Sequence, residues 1–222
     1  MNNLTLLIPA KFEKESLPSV LNELKKFTYK KLIILKETDI ATINSIKDFD
    51  VEVLYQKGNG YGNALIEGIK NCKTEFFCIF NADGSFNPKE ISKMLEKIKI
   101  HNSDFIFASR YADGGGSDDD TVITSIGNFF FSLLGKIFFN LEISDILYTF
   151  VIANTEKTKS LNLRSNDFRF CVELPIKAKK HGFKLDTFPS YERKRIAGKK
   201  KVNAFKDGSL ILGKMIGLYL KK

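Results

Sequence analysis

The first 110 residues alternate short apolar runs with amphipathic ones, and this alternation constrains the chain more than any other feature. Leu4–Ile8 is apolar and ends at Pro9. Leu17, Val20, Leu21, Leu24 and Phe27 then recur at helical spacing, with Ser16 as the expected N-cap. Lys31–Leu35 and Val51–Tyr55 read as strands. A glycine loop, Gly58-Asn59-Gly60-Tyr61-Gly62, leads into a helical run carrying Ala64, Leu65, Gly68 and Ile69. Phe76–Phe80 is wholly apolar, and Phe105–Ala108 is the next strand. Between them, Asn87-Pro88 with Glu90 opens a helix whose apolar face is Ile91, Met94, Leu95 and Ile98. Strands separated by helices pair in parallel, so the expected fold class is α/β: a doubly wound, mostly parallel sheet with helices on both faces. Ligands of such sheets bind beyond the carboxyl ends of the strands. That rule marks Pro9–Glu13, Lys36–Asp39, Lys57–Gly62, Asn81–Ser85 and Ser109–Gly116 as site-forming loops.

The second half is less regular. Ala112–Asp120 is a Gly/Asp loop, and its three consecutive acids, Asp118 to Asp120, read as loop solvation. Thr121–Asn140 is a Phe-rich helical stretch. Asp145–Ala153 and Phe183–Phe188 read as strands, Phe168–His181 as a helix disturbed by Pro175, and Asn203–Leu220 as an amphipathic helix. No repeat or linker interrupts residues 1–222, so one domain is expected, with a nucleotide-binding half (1–116) and an acceptor half (117–222). The longest apolar stretches, Ile126–Phe139 and Ser209–Leu220, each contain a lysine and fall short of the ~20 residues of a spanning helix. Aromatic residues dominate cores, so Ile126–Phe139 is expected to be a core helix, with contact to a lipid chain as the alternative. Met1–Asn3 leads directly into the first strand, so no secretory signal is expected. Three cysteines cannot all pair, and reduced core thiols point to a cytoplasmic protein.

The net charge of +9 is localised. Residues 176–222 hold 14 Lys and Arg against 3 acids, a net of +11, and the rest of the chain is close to neutral. A phosphate-rich partner or an anionic membrane fits that segment, as does simple solvation. Neither RNP-type aromatics nor a helix-turn-helix accompanies it, so nucleic acid is not an expected partner. The sequence leaves the oligomeric state open.

Three motifs carry chemistry. Asn81-Ala82-Asp83-Gly84-Ser85 follows a buried strand, where a carboxylate can hold Mg2+ or Mn2+ against a diphosphate, or can merely close a turn. The backbone at Gly58, Gly60 and Gly62 can approach a phosphate or ribose, but the spacing is neither G-x-G-x-x-G nor a P-loop, and a simple strand-to-helix turn is the reading the loop favours by itself. Arg195-Ile196-Ala197-Gly198-Lys199-Lys200-Lys201 places cations around a glycine bend, suited to a pyrophosphate.

Several pieces then occur in order: Ile8-Pro9-Ala10, Glu13, the Gly58–Gly62 loop with Ala64, Phe80-Asn81-Ala82-Asp83-Gly84-Ser85 with Pro88, Ser109-Arg110-Tyr111 with Gly114-Gly115, Asp145, Glu173 and Arg195-x-x-Gly198-x-x-Lys201. From Leu4 to about Gly208 the chain resembles glycosyltransferase family 2, and within it the dolichol-phosphate mannosyltransferase-like branch of polyprenyl-phosphate glycosyltransferases. The resemblance implies a GT-A fold and inverting transfer of a sugar from a GDP- or UDP-linked donor. Pro9, Ala10 and Glu13 would contact the nucleoside, and the glycine loop would lie on the nucleotide. Asn81, Asp83 and Ser85 would form the metal site. Arg110 would face donor or acceptor phosphates, Arg195 and Lys201 would clamp phosphate, and Asp145 would lie near the acceptor.

The chain departs from that pattern at Asn81, where the family has Asp, at Phe12, at Leu35-Lys36-Glu37, at Lys200 and near Ser125. Asn81 still offers an oxygen but removes a charge, which weakens metal affinity. The expected acceptor is a lipid phosphate, met at the inner face of an anionic membrane where Lys214, Lys221 and Lys222 act through summed charge. A sugar hydroxyl of a surface polysaccharide is the alternative. It would need a base: Asp145 first, then Glu173, whose other reading is a salt bridge to nearby lysines. A family member that binds nucleotide-sugar or lipid without turnover is the remaining reading.

Overall fold

The structure, a computed structural model, describes residues 3–198 and 203–220. The strands of the main sheet are β1 (Leu4–Pro9), β2 (Lys30–Leu35), β3 (Glu52–Tyr55), β4 (Phe76–Ile79), β5 (Phe105–Ser109), β7 (Val151–Asn154) and β8 (Leu185–Pro189). A separate two-stranded ribbon pairs β6 (Gly116–Ser117) with β9 (Tyr191–Glu192) in parallel. The helices are α1 (Leu17–Leu24), α2 (Ile40–Ser45), α3 (Tyr61–Asn71), α4 (Lys89–Ile100), α5 (Val122–Phe139), α6 (Thr155–Ser160), α7 (Phe170–Lys180) and α8 (Ala204–Leu220).

The main sheet runs β3-β2-β1-β4-β7-β5-β8. All neighbours are parallel except β7, which is antiparallel to both β4 and β5. The strand order reverses between β1 and β4, and the crevice at such a switch point receives ligands in open α/β sheets. Period-2 alternation divides the side chains between two layers. Leu6, Ile8, Cys78, Phe80, Ile106 and Ile152 face α1 and α4, where Leu17, Leu21, Ile91, Met94 and Ile98 meet them. Leu7, Ile34, Phe77, Ile79, Phe105 and Val151 face the opposite layer, with Leu65, Ile69, Val172, Ile176, Ile211 and Met215. Residues 117–222 supply β7 and β8, so the two expected halves share one sheet.

The expected strand over Asp145–Ala153 is shorter, beginning at Val151. Its first residues form a loop because side chains of α5 take their backbone N–H groups. Ile146 donates to Ser132 Oγ at 3.1 Å, and Leu147 donates to Asn128 Oδ1 at 3.0 Å. Ser16 flanks α1 as expected, but its hydroxyl donates to Glu13 Oε2 at 2.7 Å and caps no backbone group. The short helices α2 and α6 carry too little periodicity to be read from sequence; Asp39 and Asn154 cap them.

The largest departure is α5, which is not a core helix. Its buried residues are Asn128, Phe131, Ser132 and Gly135. Facing outward are Val122 (76% exposed), Ile126 (64%), Phe129 (69%) and Ile137 (63%), with Ile123, Phe130, Leu133 and Phe138 also exposed. Among the described residues α5 alone is long and apolar enough to cross a membrane, by length and composition.

Buried Glu173 ties the second layer together. Its Oε1 lies 2.9 Å from Lys214 Nζ and 3.0 Å from Lys177 Nζ. Its Oε2 accepts from the backbone N–H of Arg164 (3.0 Å) and Ser165 (2.7 Å). This is the salt-bridge reading, and it also removes Lys214 from the lysines acting only through summed charge. Burial opposes the ionised form, but Lys214 and the two N–H donors outweigh it and lower the pKa to about 2. A depressed carboxylate stabilises the fold above its unfolded value near 4.5 and loses that contribution as pH falls toward 2. Glu173→Gln should therefore cost about 3 kcal/mol at neutral pH. In urea melts across pH, the gap between variant and wild type should close between about pH 4.5 and pH 2.

Candidate active site

Two loops meet at the switch point. After β1, Ala10 N–H donates to Ile34 O at 2.8 Å, which extends the strand pairing into the loop. Phe12 then takes a left-handed φ of 57°, its ring is exposed, and its N–H donates to Asp39 Oδ2 at 2.7 Å. Asp39 is buried, also caps α2, and escaped the sequence reading because its partner lies 27 residues away. Glu13, expected at the nucleoside, is buried; its N–H donates to Thr42 Oγ1 and its carboxylate accepts from Ser16. It braces the loop that carries Pro9 and Ala10.

After β4, Asn81 is half-buried and Asp83 projects from the turn. Asp83 Oδ1 accepts from Ser85 N–H at 3.0 Å and from Ser85 Oγ at 2.7 Å. Ser85 is buried and its hydroxyl donates to Asp83, so it orients the carboxylate. The other oxygen, Oδ2, lies 3.5 Å from Arg195 Nη1. Two backbone bonds hold the Arg193–Ile196 segment against this turn: Arg193 N–H to Ser85 O and Ile196 N–H to Asp83 O, each 2.8 Å. Gly84, at φ +84°, leaves the space that Ile196 fills; a Cβ there would sit 2.5 Å from the isoleucine.

Arg193 forks onto Glu23 at 2.7 and 2.9 Å, which anchors the segment to α1. Arg195 donates to Asp119 Oδ2 at 2.7 Å, so Asp119 is more than loop solvation. Burial opposes the Arg195 charge, but the Asp119 hydrogen bond and the Asp83 charge raise its pKa. Lys201, together with Lys199 and Lys200, lies outside the described residues.

The Asn81 amide oxygen and the Asp83 carboxylate supply two hard oxygen donors. That suits Mg2+ or Mn2+ held in the main by diphosphate oxygens and water, not by a full protein cage. Among the described residues no cluster of three His, Cys, Asp or Glu exists to build such a cage.

Asp145 departs from expectation, and Arg110 has a structural role that the sequence did not show. Asp145 is completely buried. It accepts Arg110 Nε at 2.7 Å, Nη2 at 2.9 Å and the Arg110 N–H at 3.0 Å. Arg110 Nη1 reaches Glu192 at 3.0 Å and lies 3.7 Å from Asp120. Its guanidinium also rests over the Tyr148 ring at 4.7 Å. Burial disfavours the charge on Arg110, but Asp145 and Glu192 outweigh it and raise its pKa. Burial pushes the Asp145 carboxyl up, against the pull of Arg110. Asp145 is thus the counter-ion of Arg110, and Arg110 is an internal tie between the end of β5, the 144–148 loop and β9. Asp145 does not stand open to a substrate as placed, while Arg110 lies at the wall of a cleft. Glu192 and Asp120 were not foreseen, since only the fold brings them within reach. In front of Arg110 opens a cleft of about 360 Å3 lined by Tyr111, Ser117, Asp120, Thr121, Val122 and Ile126.

The glycine loop also differs from expectation. The N–H groups of Lys57 and Gly58 each donate to the Glu67 carboxylate at 3.0 Å, so an internal anion holds the place of a phosphate. Gly60, at φ +98°, packs so that a Cβ would lie 2.2 Å from Asn166 O, and at Gly62 the same distance separates it from Ser165 O. These two glycines permit close backbone approach to the 165–167 segment.

Asp145→Asn separates the ion-pair role from the base role. Leaving Arg110 without its buried partner should cost about 3 kcal/mol or more of stability in urea melts. An accessible base would be replaced at little cost in stability.

Comparison with known proteins places this geometry in a family. The family model described as glycosyl transferase family 2 matches residues 5–161. The dolichol-phosphate mannosyltransferase of Pyrococcus furiosus is 24% identical over 186 residues, covering 79% of this chain and 53% of that protein, so the chain spans about half its length. The UDP-N-acetylglucosamine–dolichyl-phosphate N-acetylglucosaminyltransferase of Methanococcus voltae is 21% identical over 208 residues, covering 83% of each. Among solved structures, glucosyl-3-phosphoglycerate synthase from Mycobacterium tuberculosis, in complex with Mn2+, UDP and glucosyl-3-phosphoglycerate, superposes with a TM-score of 0.75 at 10% identity. That likeness covers 97% of this chain and 79% of the other, and it establishes the GT-A architecture. With the family model spanning most of its length, the chain belongs to glycosyltransferase family 2 and is a glycosyltransferase.

Proposed function

We propose that the protein transfers a sugar, with inversion, from a GDP- or UDP-linked donor to a polyprenyl phosphate at an anionic membrane surface, using Mg2+ or Mn2+ held at Asn81 and Asp83. One observation carries the reading: Arg195 stands 3.5 Å from the Asp83 carboxylate at the carboxyl end of β4. A cationic fork beside a cation-binding carboxylate is the arrangement a departing nucleoside diphosphate needs. When bound, the cation would neutralise charge developing on the diphosphate. Ser85 fixes the orientation of Asp83 through two hydrogen bonds. Arg195 exchanges Asp119 for diphosphate oxygens, which its planar guanidinium meets bidentately. Lys201 is assigned to the same clamp from sequence alone.

The state of the two carboxylates proposed as bases supports a lipid-phosphate acceptor. Asp145 is sealed beneath Arg110, and Glu173 is held by Lys177 and Lys214. A sugar hydroxyl would need a base to take its proton, whereas a lipid phosphate arrives ionised. One of its oxygens forms the bond to the anomeric carbon as the bond to the nucleoside diphosphate breaks. The lipid acceptors named for the Pyrococcus and Methanococcus relatives support the same choice.

Thermal shifts with GDP- and UDP-sugars, with and without Mn2+, test the reading, because a true donor stabilises by mass action. Asp83→Ala should abolish the Mn2+-dependent part of the shift, and Asn81→Asp should enlarge it. Arg195→Lys should lower turnover on a soluble donor at least about tenfold, since the charge stays and the fork is lost. A full Mn2+-dependent shift in Asp83→Ala would remove the metal assignment. Donor binding without turnover would mark a binding protein.

A further inference from the structure

The outward face of α5 is the more apolar one. Its inward face mixes Asn128, Ser132 and Gly135 with Phe131, Leu134 and Phe139, while the outward stripe at positions 122, 126, 129, 130, 133 and 137 is wholly apolar. The inward polar groups are all in use. Asn128 and Ser132 hold the 144–147 loop that carries Asp145. Polar side chains are therefore spent on the domain and apolar ones are left outside. Beside this face lies α8, which adds exposed Phe205, Ile216, Tyr219 and Leu220. The two helices touch where Tyr219 meets Phe138, with ring centroids 5.4 Å apart. An apolar surface continuous over two helices marks a docking site on a soluble domain.

Charge selects the occupant. The only charged residue in α5 is Lys136, which is exposed on the rim of the apolar stripe, and α8 contributes exposed Lys206. The C-terminal segment to which α8 belongs carries a net charge of +11. In a symmetric contact between two copies the face would meet itself, bringing these cations against their own likeness. An apolar face rimmed with lysine instead matches the boundary between anionic headgroups and acyl chains.

We propose that α5 and α8 form one membrane-docking surface, with α5 lying in the plane of an anionic bilayer. At 18 residues α5 measures about 27 Å and could reach across a hydrocarbon core. It lies on the membrane instead because its polar edge is fastened along its length to the domain. This deepens the lipid-acceptor reading above and rests on it in one respect: Val122 and Ile126 belong to the outward stripe and also line the cleft before Arg110. A lipid leaving the bilayer would enter the domain there.

The test uses the full chain and the variant Phe129→Glu/Leu133→Glu/Ile137→Glu, whose three positions are exposed and away from that cleft. Wild type should sediment with vesicles of phosphatidylcholine and phosphatidylglycerol, and less with phosphatidylcholine alone. The triple variant should lose at least tenfold in vesicle affinity, while keeping its melting temperature and its donor-induced thermal shift. Lys136→Gln/Lys206→Gln should reduce only the preference for the anionic vesicle. Unchanged sedimentation of the triple variant overturns the proposal. So does a wild-type dimer in light scattering that the triple variant dissolves while vesicles fail to bind wild type. Loss of vesicle binding with an intact donor shift separates this surface from the transfer reaction, and an absent donor shift in wild type that still binds vesicles overturns only the reaction.

Discussion

The ion cluster around Arg110 sets the geometry of the site. A guanidinium this deeply buried requires compensation, and Asp145 and Glu192 provide it from two distant parts of the chain. Asp145 brings in the 144–148 loop, which feeds β7 into the middle of the sheet. Glu192 sits on β9, directly ahead of the segment that carries Arg193 and Arg195 to the Asp83 turn. One buried cation thus fixes both the closure of the sheet and the approach of the cationic segment. The tie is stiff because Arg110 meets its partners through Nε, Nη1, Nη2 and its own backbone N–H at once. A lysine could supply the charge but not these directions.

The sequence conveyed the parallel half of the sheet well. Periodicity located β1 to β5 within a residue or two, because β1, β4 and β5 are buried on both faces and read as continuous apolar runs, while the exposed edge strand β3 is a short run between polar residues. The loops that meet at the switch point were placed correctly by the same logic. Side-chain roles were harder to foresee. Arg110 and Asp145 were read as facing substrate, and they face each other across 35 residues. The backbone at Gly58, Gly60 and Gly62 was read as open to a phosphate, and at Lys57 and Gly58 Glu67 supplies an anion from nine or ten residues away. In each case a local motif was legible and its partner, brought in by tertiary structure, was not. The helix α5 failed for another reason. An apolar stripe reports amphipathicity but not which side is wet, and only the buried Asn128 and Ser132 reveal that it is turned outward.

The Asp83 turn and Arg195 describe a site whose charges are mutually satisfied before any donor arrives. Asp83 has Ser85 on one oxygen and Arg195 near the other, and Arg195 has Asp119. A ligand entering such a site exchanges ion pairs and does not fill an empty electrostatic well, so net affinity depends on how well the new geometry replaces the old. With Asn81 in place of a second carboxylate, a bound cation would contribute less of that difference and the arginine fork more.

The antiparallel strand β7 also bears on how the chain is made. It separates β4 from β5, strands that lie in the first half of the sequence, and pairs with both. As the polypeptide leaves the ribosome, Phe76–Ile79 and Phe105–Ser109 have no common neighbour until residues beyond 150 emerge. Both strands are wholly buried in the finished sheet, so the nascent half carries one apolar edge of β4 and both edges of β5 open to wrong pairing. Docking of Val151–Asn154 between them is a long-range event that closes their facing edges in one step and leaves the far edge of β5 to Leu185–Pro189.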